Sequence, residues 1–187
     1  MNLSRSFILK SKKIMGTRNL TIVIDRKGEK KVNQYGEWDG YPEVVGIGIL
    51  EFLRDQPLLY KMEQNLSKVR FLDQDGKDKE FIKSYNDNVP KWSGAPDNRT
   101  EEQKHWFENY ISRNLSDIVL LNIANFNDEE IILEDAENKE DNTWCEGFYT
   151  IDLKNHLFIS EFHGKKVEYN ITKLPSNEEY LKSFENG

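Results

Sequence analysis

The sequence predicts an α+β fold, a mainly antiparallel sheet covered by two or three helices. Three features carry this reading. A strand–turn–strand signal comes first, helical periodicity fills the middle, and several short strand-like runs close the chain. Strands, then helices, then strands describe segregated α+β architecture rather than alternating βαβ units.

Each element has a local reason. Residues 19–25, NLTIVID, are β-branched and apolar; the turn RKGE and the strand KKVNQYG complete a hairpin. After Pro42, Val44, Val45, Ile47, Ile49, Leu50, Phe52 and Leu53 recur with helical spacing, and the helix ends before Pro57. Gly46 and Gly48 lower helical propensity there and permit close approach of the backbone to the sheet or to a ligand. The segment LLYKMEQNLSKVRFLD continues as a second short helix or an irregular stretch. Residues 73–99 are rich in Asp, Lys, Asn, Gly and Pro, and predict a long loop. Thr100 and Gln103 form a capping-box pattern at the head of TEEQKHWFENYISRNL, whose Trp106, Phe107, Tyr110 and Ile111 share one face. DIVLLNIAN extends or follows that helix. EIILED, GFYTIDL, HLFISEFHG and KVEYNITKL then read as strands joined by turns, and SNEEYLKSF as a final helix.

Composition bounds the function. In a chain of 187 residues, residues 15–187 read as one domain, large enough to bury a core without disulfides. The 10 Phe, 8 Tyr and 4 Trp supply its large burial units. A net charge of −7 repels phosphate backbones and argues against general nucleic-acid binding. No apolar stretch reaches the roughly 20 residues of a membrane span. The basic residues 1–14 carry Arg5, Lys10, Lys12 and Lys13 without an acid, and read as a flexible leader or as sequence upstream of a start at Met15. A single cysteine, Cys145, excludes an intrachain disulfide and fits the cytoplasm, with burial as a small hydrophobe its default role. His105, His156 and His163 are isolated, DQDGKDKE does not fit a calcium loop, and the acidic residues 127–141 read as solvated surface. No metal or cofactor is called for.

The densest chemistry is QYGEWDGYP, residues 34–42. Gln34 offers an amide that donates and accepts; Tyr35, Trp38 and Tyr41 offer flat faces; Glu37 and Asp39 offer carboxylates. Gly36 and Gly40 let the backbone turn around them. Arg18 calls for an acidic partner, either Asp39, Glu37 or a ligand anion. Strand alternation places Gln34 toward a pocket mouth, lined with Trp38, Asp39 and Tyr41, and Tyr35 toward the core. The expected role is recognition of a small polar or nucleotide-like ligand, or of a protein partner. The same aromatics would equally pack the hairpin end onto the helix, with Asp39 as its cap.

Two resemblances add to this. MGTRNLT…QYGEWDGYP…GILEFL and WCEGFYTIDLKNHLFIS resemble a family of uncharacterised proteins found in phages and bacteria. That resemblance implies a phage setting, in the host cytoplasm, in which small acidic proteins sequester or block a host molecule. The Gly16–Thr17 step followed by a hairpin is similar to the opening of N-terminal-nucleophile hydrolases. It implies cleavage after Gly16, a free Thr17 acting as nucleophile and base in amide hydrolysis, and a layered fold of two sheets.

Overall fold

The structure, a computed structural model, describes residues 16–88, 96–111, 115–127, 129–136 and 144–185. The basic leader and Trp92 lie outside the described residues. Strands β1 (Asn19–Ile24) and β2 (Lys30–Gly36) form the expected antiparallel hairpin, with Leu20 opposite Tyr35 and Val23 opposite Val32. The Asp25 carboxylate accepts from the amides of Lys27 and Glu29 at 2.8 and 2.9 Å, closing a turn in which Gly28 takes φ +90°.

Two further short strands, β3 (Val69–Phe71) and β4 (Ile131–Leu133), pair parallel in a small separate sheet. The three C-terminal strands, β5 (Gly147–Asp152), β6 (Leu157–Phe162) and β7 (Lys165–Asn170), are successive antiparallel hairpins. They join the first hairpin through a parallel β1–β5 pairing, giving the order β2-β1-β5-β6-β7. One parallel step in a mostly antiparallel sheet follows from the helical crossover between them.

Six α-helices accompany the strands among the described residues. Past β2, a π-helical turn (Pro42–Gly46) runs into α1 (Ile47–Arg54), then α2 (Gln56–Asn65), capped by the Asp55 carboxylate on the Leu58 amide at 3.1 Å. Helix α3 spans Lys79–Asn88 and α4 spans Glu101–Trp106, with α5 at Ile118–Ala124 and α6 at Asn177–Glu185. The capping box of Thr100 and Gln103 forms as read. Ile49, Leu50, Leu53, Met62, Val119, Leu120 and Ile123 bury against Val23, Val32, Ile151 and Phe158 in one main core. Among the described residues, no helix is long and apolar enough to cross a membrane.

Several expectations change. Residues 73–99 are not one long loop. Asp73 binds the Gly76 amide at 2.9 Å, and ten residues of α3 follow; 89–95 lie outside the described residues. Phe81, Ile82 and Tyr85 supply the amphipathic face that the surrounding Asp and Lys residues obscured. The acidic run is partly structural rather than solvated. Glu130 pairs with Arg70 at 2.7 Å and Asp135 accepts from Asn33 at 2.7 Å. The described residues form one five-stranded sheet and one two-stranded sheet.

Candidate functional site

The loop 37–41 emerges where β2 ends, and a buried polar network holds its base. The amide of Asn19, fully buried, reaches the Gly36 carbonyl at 3.4 Å, and its oxygen accepts from the Ser116 hydroxyl at 2.6 Å. Tyr149, fully buried on β5, donates to the Gly40 carbonyl at 2.8 Å, while the Gly40 amide donates to the Thr17 carbonyl at 2.9 Å. Burial pushes the Tyr149 hydroxyl well above its ordinary range, so it stays a donor. A side chain at residue 40 would strike Asn19 and the Thr17 carbonyl, which is why this position is glycine.

That foundation leaves the tip exposed. Trp38 is 56% exposed and its ring lies along Gly16. Asp39 is exposed, with φ +54°, and its carbonyl accepts from the Tyr41 amide at 2.7 Å. A non-glycine residue in the left-handed region costs about 1 kcal/mol, so the tip is held by its surroundings. Tyr41, half-buried, packs its ring at 5.8 Å from Phe162, which in turn meets His163 at 4.2 Å. Glu37 is half-buried; Glu43, Val44 and Glu146 are exposed.

The residues singled out from sequence thus divide. Trp38, Asp39, Tyr41 and Glu37 form an accessible rim. Gln34, 2% exposed, lies on the helix-covered face of the sheet, so it lines no pocket mouth. Tyr35, 3% exposed, belongs to a small cluster with Leu20 and Ala136 on the opposite face. Alternation separated the two correctly, but both faces are covered here. Arg18 is half-buried and pairs with neither Asp39 nor Glu37; its carbonyl accepts from the Glu146 and Gly147 amides. Thr17 is 1% exposed, and its carbonyl accepts from the Gly40 amide.

Sequence reasoning missed the support beneath the rim. Ser116 takes φ +48° and Asp117 packs its carboxylate against Gly48 of α1. Burial raises the Asp117 carboxyl to about 6, opposed by the neighbouring polar groups of its own amide and Ser116. The signal available was the paired Gly46 and Gly48. Their close neighbours are Tyr180 of α6 and Asp117, rather than sheet backbone or a ligand. Among the described residues no three His, Cys, Asp or Glu side chains converge to hold a metal ion. No family model, curated protein or solved structure matches the chain.

Proposed function

We propose that the protein is a binding module whose rim at Glu37, Trp38, Asp39 and Tyr41 receives a cationic side chain, Arg or Lys, of a protein partner. The observation that carries the reading is the exposed Trp38 beside a strained Asp39 on a loop pinned by buried hydrogen bonds. A mobile tip would bury its tryptophan and relax its backbone. This one keeps both unfavourable features. Covering the exposed half of a ~250 Å² indole contributes about 3 kcal/mol at ~25 cal/mol per Å². Glu37 and Asp39 flank Trp38 directly in the chain, which favours a cation over the ring face. The resemblance of the two sequence blocks to phage and bacterial proteins makes a host protein the first partner to test.

The test pairs a melt with a titration, using an arginine-rich peptide and its glutamine counterpart. Asp39→Asn is expected to shift stability by less than ~0.5 kcal/mol and Trp38→Ala to cost about 1–3 kcal/mol for the part of the ring already buried, while in the folded fraction they weaken the arginine peptide roughly tenfold and 100-fold. Large destabilisation by both substitutions, with peptide binding unchanged in the folded fraction, would reject the reading in favour of packing.

A further inference from the structure

The far end of the β1–β2 hairpin carries a second constellation, about 20 Å from Trp38 by strand length. Two grooves meet there. One, of about 250 Å³, lies between α2 and the β5–β6 turn and is lined by Tyr60, His156, Leu59 and Ile171 among others. The other, of about 290 Å³, runs under the hairpin turn past Lys27, Lys31 and Ser67. Both are lined by Arg26, Glu63 and Leu153, so Arg26 stands on the saddle between them. Each alone is smaller than the ~300–1,000 Å³ typical of small-molecule sites, so a ligand of that size would have to span both across Arg26.

The two halves differ in chemistry. In the first, Tyr60, 64% exposed, shares the lining with the buried aliphatic side chains of Leu59 and Ile171. In the second, cations prevail although the whole chain is acidic. Arg26 donates through Nε and Nη2 to both oxygens of Glu63 at 2.9 Å, which fixes the guanidinium plane and leaves three of its five N–H groups unused. The Asp25 carboxylate is occupied by two backbone amides, and Lys31 pairs with Glu29 at 2.7 Å. Lys27 has no ion-pair partner among the described residues, and Lys154 leans across Gly28 beside it. A flat apolar platform joined through an oriented guanidinium to an unpaired ammonium suits a ring at one end and a dianion at the other.

We propose that the paired grooves bind a ligand of the mononucleotide class, its base against Tyr60 and its phosphate at Arg26 and Lys27. A fixed guanidinium offers parallel N–H donors to phosphate oxygens, and an aromatic face accepts a base of either kind. This inference stands independently of the rim at Trp38.

The full chain, labelled with ¹⁵N, is titrated with AMP, UMP, adenosine and inorganic phosphate, following the Arg26 side chain and the amides of Lys27, Tyr60 and His156. At least one nucleotide is expected to give saturable shifts at these positions, roughly tenfold tighter than adenosine or phosphate alone. Arg26→Gln is expected to weaken it about tenfold and Tyr60→Ala several-fold. Because Arg26→Gln also frees a carboxylate, Glu63→Gln serves as its companion, keeping the cation and preserving or tightening binding. Saturable binding to neither nucleotide overturns the proposal. So does adenosine binding as well as AMP, phosphate binding as well as either nucleotide, or affinity unchanged in both Arg26→Gln and Tyr60→Ala.

Discussion

Asp117→Asn should stabilise this protein at neutral pH, against the usual direction of a substitution at a buried polar position. The Asp117 carboxylate sits against Gly48 of α1, and burial raises its carboxyl from the ordinary 3.8 to about 6. The folded state therefore holds the proton more tightly than the unfolded chain. Stability from this group is greatest below about pH 4 and is lost as pH rises through about 6. At ~1.4 kcal/mol per pH unit, the ionised carboxylate costs at most about 3 kcal/mol, and residual solvent contact lowers the expected effect to about 1–2 kcal/mol. Asparagine keeps the shape without the charge. Urea melts of both proteins at pH 4.5 and pH 7.5 provide the assay. The midpoint of Asp117→Asn should exceed that of the parent at pH 7.5, and the gap should shrink at pH 4.5. An equal or lower midpoint at pH 7.5, or a gap independent of pH, would refute the burial argument. The comparison between proteins cancels other acids titrating in the same range.

Three further outcomes follow from the packing. Gly48→Ala, which gains about 1 kcal/mol in an open helix, should instead cost roughly 1–3 kcal/mol because the added methyl enters the space of the Asp117 carboxylate; in an Asp117→Ala background the loss should disappear, as chemical melts would register. Tyr149→Phe removes the bond to the Gly40 carbonyl and should cost about 1–2 kcal/mol, with faster amide exchange at Gly40 and Tyr41. Arg70 donates to the buried Asp78 and lowers its carboxyl, so the stability it confers is present above the ordinary 3.8 and lost as pH falls below it; Asp78→Ala should cost about 2–3 kcal/mol near pH 7 and progressively less toward pH 3 in parallel melts.

The sequence was legible wherever a local rule sufficed. The hairpin, the capping box at Thr100, the helix after Pro42 and the three C-terminal strands each rest on propensity, caps or alternation within a dozen residues. The parallel β1–β5 pairing did not, because it joins segments some 120 residues apart and no local pattern encodes it. Helix α3 was hidden by composition: its apolar residues are few and its charges many, so a turn-rich average masked a helical face. At the site, exposure of Trp38 and Asp39 agreed with a polar, glycine-flanked loop. The burial of Gln34 did not, since alternation assigns a face but not what covers it. Asn19, Ser116 and Tyr149 converge from three distant segments, and only the folded chain reveals them as the loop's foundation.

The most direct measurement of the rim's proposed role follows the Trp38 indole N–H and the Asp39 amide by NMR while the arginine-rich peptide is added. The indole resonance is identified by its loss in Trp38→Phe. Both signals should move together and saturate with the arginine peptide, and stay in place with its glutamine counterpart. Signals that remain fixed at saturating arginine peptide, or that move equally with both peptides, would contradict recognition of a cation at Trp38.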